Sequence, residues 1–371
     1  MKKRIAVLPG DGIGPEVINQ GIKVLESIAD KYQHQFKYHY GLLGAAAIRQ
    51  TGLPLPPETL QTCLDSDAVF LGAIGDLDSD ISASAKVRPI QGLLDLRRQL
   101  GLFCSIRPVQ IYPALKDHSP LKYQVVKGVD LVIYRELTGG IYFGEKGRLQ
   151  QGRLAYDQCF YTVDEIKRIG LSAFQASMKR RKKLTLVDKA NILETSRLWR
   201  EVVQLLALDF PGVTVDYMLV DNAAMQLILK PSHFDVILTD NMFGDILSDE
   251  ASVLTGSIGL SPSASLGIHS AVFEPIHGSF PQGAGKDIAN PIASILSAAM
   301  MMDYWHMTEE AENIRKAVNL VIDKGFGTED LHPQYKLSCS NMGDLISSII
   351  EVGLLNDHSI ERMMERYSTI I

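Results

Sequence analysis

Residues 4–31, RIAVLPGDGIGPEVINQGIKVLESIADK, carry the pattern that decides the fold. The apolar run Arg4–Leu8 predicts a short buried strand, and a glycine-rich turn follows it. Pro15, with Glu16 behind it, marks the start of a helix that the periodic apolar residues extend to about Lys31. A strand, a tight turn and a helix in succession open a βαβ unit, so this stretch predicts an α/β protein.

The same alternation continues along the chain. Short apolar runs that end in polar turns predict further strands at Ala68–Gly72, Leu131–Tyr134, Leu184–Val187 and Phe234–Leu238. Helical patterns between them favour a substantially parallel sheet, in which functional residues gather beyond the carboxyl ends of the strands. Residues 139–163 are rich in Tyr, Phe and Gly and predict a β-hairpin arm instead. Because no Pro/Ser-rich linker interrupts the chain, we expect two domains joined by strands that pass between them.

The first glycine cluster does not match the dinucleotide-binding fingerprint of a Rossmann fold. After Gly10 and Gly12 the third glycine belongs at position 15, which is a proline. No acidic residue closes a second strand about 20 residues later. A tight strand-to-helix turn explains the glycines equally well, so the cluster is weak evidence for a dinucleotide site.

Composition narrows the class of protein. The 371 residues are 46% hydrophobic and 22% charged, which supports a sizeable core and excludes general disorder. A net charge of −6 argues against a nucleic-acid partner. The apolar run Ile292–Met302 ends at Asp303, short of the ~20 residues that span a bilayer. The cysteines lie far apart, at Cys63, Cys104, Cys159 and Cys339, which fits a reducing cytosol. We therefore expect a cytoplasmic protein with no membrane partner.

Two aspartates indicate a metal site. Asp245 and Asp249 are four residues apart in a helical pattern, so their carboxylates share one helix face. A divalent cation would convert their repulsion into coordination, since Mg²⁺ and Mn²⁺ prefer carboxylate oxygens. Two solvated acids on an exposed helix are the alternative, and the nearby acids Asp221, Asp240 and Glu250 do not decide between them.

Arginines and two proton-transfer groups supply the complementary chemistry. Arg97, Arg107 and Arg135 offer guanidinium groups that bind carboxylates bidentately. Tyr142 and Lys189 each follow a predicted strand or turn, as a proton donor and a base would. Together these residues indicate metal-assisted chemistry on a small polycarboxylate, without naming the reaction.

The chain resembles the β-decarboxylating dehydrogenases of the isocitrate/isopropylmalate dehydrogenase family over nearly its whole length. The segments that carry the resemblance are LPGDGIGPEV, GLLDLRRQLGLFCSIRPV, RELTGGIYFGE, VDKANILETSRLWR, FGDILSDEASVLTGSIGLSPSASLG, EPIHGS and GKDIANPIASILSAAMM. The resemblance implies a two-domain, non-Rossmann α/β fold. Residues 1–102 with 256–371 would form a discontinuous cofactor-binding domain. Residues 103–255 would form the dimerisation and substrate/metal domain, with the hairpin arm at the dimer interface.

The resemblance also assigns roles to the candidate residues in a homodimer with shared active sites. The substrate carboxylates would be bound by Arg97, Arg107 and Arg135. Mg²⁺ or Mn²⁺ would be held by Asp245 and Asp249 together with the partner subunit's Asp221, which would also contact the substrate. The partner subunit's Lys189 would be the base, and Tyr142 would protonate the enol.

The implied cofactor is NAD. Its binding residues would be Glu274, His277, Gly278, Ser279, Gln282, Gly285, Ile288 and Asn290. Gln282 stands where the family usually has an aspartate that bonds the adenosine ribose, and Ile90 replaces a glutamate near the nicotinamide. Lys230 occupies a position that in NADP-using relatives can reach the 2′-phosphate. Because glutamine can still bond ribose hydroxyls, NAD remains the expected cofactor.

Leu93 sets the expected substrate. Family members that act on isocitrate present polar residues at this helix, whereas Leu93 offers an apolar surface that suits an isopropyl group and disfavours a charge. The implied reaction is oxidative decarboxylation of 3-isopropylmalate to 4-methyl-2-oxopentanoate and CO₂, a step of leucine biosynthesis. The alternatives are the same chemistry on D-malate, tartrate or homoisocitrate, and a non-catalytic regulatory subunit. The catalytic residues that regulatory subunits lose are present here.

Overall fold

The structure is a computed structural model that describes residues 1–75, 87–353, 364, 365 and 367. It divides the chain into two compact units. The first unit comprises Met1–Leu100, Tyr112–His118 and the described part of Gly256–Ile371. The second comprises Gly101–Ile111 and Ser119–Thr255. Compared with the predicted division at 102 and 255, the second unit starts two residues earlier, and residues 112–118 lie in the first.

The described elements alternate between strands and helices, as the sequence predicts. The strands are β1 (Lys2–Gly10), β2 (Gln35–Tyr40), β3 (Ala68–Ala73), β4 (Cys104–Gln110), β5 (Asp130–Glu136), β6 (Lys146–Leu149), β7 (Leu154–Asp157), β8 (Lys183–Asp188), β9 (Thr214–Leu219), β10 (Val236–Thr239), β11 (Pro262–Leu266), β12 (Ala271–Pro275), β13 (Phe326–Gly327) and β14 (Tyr335–Lys336). The helices are α1 (Gly14–Tyr32), α2 (Ala45–Thr51), α3 (Pro57–Leu64), α4 (Pro89–Gln99), α5 (Tyr123–Val126), α6 (Val163–Lys179), α7 (Glu194–Ala207), α8 (Val220–Leu229), α9 (Asn241–Val253), α10 (Ile292–Tyr304), α11 (Thr308–Asp323) and α12 (Cys339–Val352). The α/β fold class is thereby confirmed.

In the first unit, five strands lie in the order β2-β1-β3-β12-β11. β1 pairs in parallel with β2 and β3, β12 runs parallel to β3, and β11 is antiparallel to β12. Helix α10 packs against α1 and the sheet, and 10 of its 13 residues are buried. The apolar run near residues 292–302 is therefore a core helix. Among the described residues, no helix has the length and apolar character needed to cross a membrane.

In the second unit, the strand order is β4-β5-β10-β8-β9. β5, β10, β8 and β9 are parallel, whereas β4 is antiparallel to β5. Their apolar side chains pack with α9 around Ile133, Ile237 and Leu247. The carboxyl ends of the four parallel strands therefore share one edge of this sheet, where polar residues follow each strand. β6 and β7 form a separate antiparallel hairpin within the segment predicted as an arm.

Candidate active site

Arg135 lies at the carboxyl end of β5 and is only 3% exposed. Its Nε and Nη2 donate to Oδ1 of Asn241, at 3.1 and 2.8 Å, and its Nη1 donates to Oδ1 of Asp245. Gly244 allows α9 to pass this close, because a Cβ there would lie 2.6 Å from Cγ of Arg135. The buried guanidinium is thus held by one amide and one carboxylate of the same helix.

Arg107 reaches the same helix from β4. Its Nη1 donates to Oγ of Ser248 (2.9 Å) and to Oδ1 of Asp249 (3.0 Å), and its Nη2 lies 3.9 Å from Oδ1 of Asp245. Its Nε is buried and has no hydrogen-bond partner among the described residues. Because a buried donor without a partner is costly, this nitrogen favours an anionic ligand that would accept from it.

Tyr142 contacts both Asp245 and Arg135. It ends the short turn Gly140–Tyr142, and its hydroxyl donates to Oδ2 of Asp245 at 2.8 Å. The guanidinium carbon of Arg135 lies 5.7 Å from the centre of the ring. Partial burial, and then the bond to Asp245, raise the pKa of Tyr142 to about 12. The phenol is therefore protonated at neutral pH, as a proton donor must be.

The loop that carries Tyr142 is tied down by a buried glutamate. The carboxylate of Glu136 accepts from the backbone N–H groups of Thr138 (2.9 Å) and Gly139 (2.7 Å). Arg168 also reaches this carboxylate, at 3.5 Å, and stacks over the ring of Phe103. Burial raises the pKa of Glu136 in spite of these donors. Glu136 thus fixes the loop between β5 and the tyrosine.

Lys189 and Asp221 form a second polar group at the same sheet edge. Lys189 follows β8, Asp221 opens α8, and the lysine Nζ donates to Oδ1 of the aspartate. This hydrogen bond lowers the pKa of Asp221. Within the described part of the chain, no hydrogen bond or ion pair joins this pair to Asp245 or Asp249. The structure therefore brings the predicted base and the third predicted metal ligand together, apart from the arginine cluster.

The described residues contain no cluster of three or more His, Cys, Asp or Glu side chains placed to hold a metal ion. Asp245 and Asp249 lie one turn apart on α9, and the Asp249 side chain is 68% exposed. Two accessible carboxylates on one face fit part of a Mg²⁺ or Mn²⁺ coordination shell, which needs further oxygen ligands.

In the first unit, Arg97 and Glu274 are paired. Nη2 of Arg97, on α4, lies 3.0 Å from Oε1 of Glu274 at the end of β12. The Nε of Arg97 is buried and has no partner within the part of the chain that the structure describes. Leu93 lies one turn before Arg97 on the same helix face and is buried, whereas Ile90 is exposed. Like Arg107, Arg97 keeps a donor for an anion.

The predicted cofactor segment packs against the first turn of the chain. The carbonyl of Ser279 accepts from the N–H of Ile13 at 2.7 Å, and a Cβ on Gly12 would lie 1.9 Å from that carbonyl. His277 is buried, and no residue that the structure describes pairs with its Nε2. Burial lowers the pKa of His277. Gly278 is exposed and, having no Cβ, leaves open space at its α-carbon.

The later part of that segment borders a cavity. Glu16 of α1 accepts from the N–H groups of Gly285 and of Asp287 (3.2 Å) and so holds the loop. A cavity of about 350 Å³ lies beside it and includes Ile288 in its lining. Gln282 and Ile288 are exposed, and Nδ2 of the buried Asn290 donates to Asp330. An open cleft and an unpartnered buried nitrogen at His277 are compatible with a bound dinucleotide.

Comparison with known proteins decides the family. The profile of "Isocitrate/isopropylmalate dehydrogenase" matches residues 4–346. This chain belongs to the isocitrate/isopropylmalate dehydrogenase family. It is 49% identical to the 3-isopropylmalate dehydrogenase of Bacillus licheniformis, over 99% of this chain and 100% of that protein. It is 52% identical to the Clostridium acetobutylicum enzyme of that name, over 92% and 98%. The crystal structure of isocitrate dehydrogenase from Methylococcus capsulatus superposes with a TM-score of 0.84 at 33% identity, covering 94% of this chain and 99% of that one.

The sequence predicted the charged groups of the candidate site, but it did not predict the residues that position those groups and their loops. Asn241, Glu136 and Glu16 were not singled out for the site. Signals existed for each of them: Glu136 follows Arg135 directly, Asn241 opens the helix of the acid pair, and Glu16 lies in the first turn of α1. Asn241 and Glu16 bond to groups more than 100 positions away, which spacing alone does not reveal. Glu136 bonds to N–H groups two and three residues on, and its burial is what the sequence did not show.

Proposed function

We propose that this chain catalyses the NAD-dependent oxidative decarboxylation of 3-isopropylmalate to 4-methyl-2-oxopentanoate and CO₂ in leucine biosynthesis. The observation that carries the proposal is the cluster in the second unit. There, Arg107 and Arg135 meet the acid pair Asp245 and Asp249, and the protonated Tyr142 adjoins them. Anion-binding donors, cation-binding oxygens and a proton donor are the groups that decarboxylation of a hydroxy diacid needs.

Different residues of the chain bind the substrate and transfer protons. Arg107 and Arg135, with Arg97, bind the substrate carboxylates, and the unpartnered Nε atoms of Arg97 and Arg107 supply donors for them. Lys189 would take the proton of the C2 hydroxyl, and bound NAD would supply the acceptor for the C2 hydride. When the β-carboxyl departs as CO₂, Tyr142 returns a proton to the enol carbon. Asp245, Asp249 and Asp221 would hold a divalent cation, which would supply Lewis-acid stabilisation of the developing oxyanion.

The active site is proposed to be shared between two copies of the chain, with Asp221 and Lys189 donated by the partner subunit. Two features support this. Among the described residues, no hydrogen bond or ion pair joins Lys189 or Asp221 to the acid pair. Helices α8 and α9 pack together and leave large apolar side chains exposed, namely Met225, Ile228, Leu229, Ile246 and Val253. Apolar surface concentrated on neighbouring helices is typical of a protein interface, and a second copy with its own α8 and α9 is the occupant we propose.

NAD is the proposed dinucleotide, bound along Glu274–Asn290, with Gln282 bonding the ribose hydroxyls. We place the protein in the cytoplasm, since all four cysteines are free. For the substrate, Leu93 and the names of the relatives at about 50% identity favour isopropylmalate over D-malate, tartrate or homoisocitrate.

One assay tests the proposal. NADH production is measured from 3-isopropylmalate and from D-malate, with Mg²⁺ or Mn²⁺ and after chelation. We expect metal-dependent turnover with higher kcat/KM for isopropylmalate. Equal or better use of D-malate would overturn the substrate assignment, and full turnover after exhaustive chelation would overturn the metal's role.

A further inference from the structure

Asn241 is the first residue of α9 and is 1% exposed. Its backbone N–H donates to the hydroxyl of Tyr161 at 3.0 Å. The preceding residue, Asp240, caps the helix by accepting from the N–H of Phe243 (2.8 Å). The backbone of Asn241 is therefore anchored, and its side chain has a defined direction.

Both the oxygen and the nitrogen of the Asn241 side-chain amide form hydrogen bonds. Its oxygen accepts from Nε and Nη2 of Arg135, at 3.1 and 2.8 Å. Its Nδ2 donates to the carbonyl of Gly139 at 3.2 Å. Gly139 precedes the turn Gly140–Tyr142, so a single side chain contacts both the substrate-binding arginine and the loop of the proton donor.

We propose that Asn241 is a positioning residue that couples the guanidinium of Arg135 to the loop bearing Tyr142. The carboxylate of Glu136 accepts from the N–H of Gly139, and Asn241 donates to the carbonyl of Gly139. The residue before the turn is therefore held at both of its backbone polar groups. These contacts thereby fix the position of the arginine that binds the substrate carboxylate relative to the phenol that protonates the enol carbon. This inference rests on the proposed function for its kinetic consequences.

The chemistry of the amide supplies a discriminating substitution. Aspartate has nearly the same shape as asparagine, and its carboxylate still accepts from Arg135. It cannot donate to the carbonyl of Gly139 and places an oxygen against it instead. Asn241→Asp therefore separates the two contacts, whereas Asn241→Ala removes both.

The experiment combines kinetics with hydrogen exchange. For Asn241→Asp we expect KM for isopropylmalate within about threefold of the parent, because Arg135 is still held. We expect kcat to fall by about tenfold or more, with a larger solvent deuterium isotope effect on kcat, because the proton donor is displaced. Amide exchange at Gly139–Tyr142 accelerates. Asn241→Ala also raises KM by about tenfold.

Asn313→Ala is the matched control. Asn313 is a buried asparagine of α11 whose Nδ2 donates to the hydroxyl of Tyr32 at 3.2 Å. Asn313 lies in the first unit. Its removal is therefore expected to lower the free energy of unfolding without a selective fall of kcat relative to KM and without a change in the solvent isotope effect. If the control reproduces the pattern of Asn241→Asp, the positioning role is refuted.

The exchange measurement keeps the two proposals separable. Unchanged protection of Gly139–Tyr142 in Asn241→Asp would overturn the coupling, whatever the substrate proves to be. Accelerated exchange in Asn241→Asp, together with a parent protein that does not turn over isopropylmalate, would uphold the coupling and overturn the proposed function. Should Asn241→Ala fail to fold, the near-isosteric Asn241→Asp decides alone.

Discussion

At the scale of single residues, Asp245 is the carboxylate on which three neighbours converge. One oxygen accepts from Arg135, the other accepts from the hydroxyl of Tyr142, and Nη2 of Arg107 lies 3.9 Å away. Asp249 is different, because it is largely exposed and, among the described residues, its ion pair is with Arg107. The two acids that we propose as metal ligands should therefore differ in their contributions to stability, although the proposed function requires both.

Asp245→Ala is expected to lower the free energy of unfolding by about 2 kcal/mol, since it removes a carboxylate that accepts from the buried guanidinium of Arg135. Asp249→Ala is expected to change it by less than about 1 kcal/mol. Urea denaturation in the presence of a chelator measures both, and each variant should lose metal-dependent turnover. Equal destabilisation by the two substitutions would contradict the difference in burial.

Gln282→Asp is expected to shift cofactor use further toward NAD, with the ratio of kcat/KM for NAD over NADP rising roughly tenfold. A carboxylate at this exposed position would repel the 2′-phosphate of NADP and could still bond ribose hydroxyls. Gln61→Asp makes the same change of charge on α3 and serves as the control. An NADP preference in the parent protein would refute the cofactor assignment.

At the scale of elements, α9 organises the cluster. It is capped by Asp240, it begins with Asn241, and it places Asp245 and Asp249 one turn apart. The side chain of Asp240 is itself buried. Burial, with Glu136 and Asp188 nearby, raises the pKa of Asp240 to about 7, although the N–H of Phe243 and the charge of Arg135 oppose the shift.

This raised pKa predicts a pH-dependent stability. Because folded Asp240 binds its proton more tightly than the unfolded chain does, its contribution to the free energy of unfolding falls as pH rises from about 4 to about 7. Asp240→Asn retains a capping oxygen without a titrating group. The free energy of unfolding of Asp240→Asn, relative to that of the parent, should therefore rise by on the order of 1 kcal/mol between pH 5 and pH 8 in metal-free denaturation curves.

Asp240→Ala is the companion variant. It loses the cap and should be destabilised by about 1 kcal/mol relative to Asp240→Asn at every pH. A stability difference between Asp240→Asn and the parent that stays constant with pH would show that the buried carboxyl does not titrate in this range.

At the scale of the whole molecule, the proposed shared site makes a prediction that no single-chain arrangement makes. Lys189→Ala and Asp245→Asn should each be inactive as homodimers. In a heterodimer of the two, one site combines an intact Asp245 with an intact Lys189 of the partner subunit. Refolding the variants together in equal amounts should restore about a quarter of parental activity, since half of the dimers are mixed and each has one intact site.

The controls for this experiment are each variant refolded by itself and the two refolded separately and then combined. Activity that stays absent after co-refolding would show that Lys189 and Asp245 serve the same chain's site. Light scattering or sedimentation of the parent provides the oligomeric state directly, and a monomer would contradict the proposed interface on α8 and α9.

The elements and the charged groups could be predicted from local pattern. The helix predicted from Pro15 to about Lys31 is Gly14–Tyr32, and Asp245 and Asp249 share a helix as their spacing required. The strand predicted at Phe234–Leu238 begins at Val236, because the short turn Pro231–His233 precedes it. Periodicity and spacing report on backbone conformation over a few residues, so boundaries shift while the types of element survive.

What the sequence determined by itself was therefore the alternation of strands and helices, the family, and the residue types available for chemistry. Only the tertiary structure decided which partner each charge has. Arg135 and Asn241 are 106 positions apart, and Tyr142 and Asp245 are 103 apart. Their meeting depends on β5 and β10 lying side by side in a parallel sheet, since that register brings strand ends from distant parts of the chain to one edge. Hydrogen bonds act over about 3 Å, and no local pattern encodes a contact at that range between such distant residues.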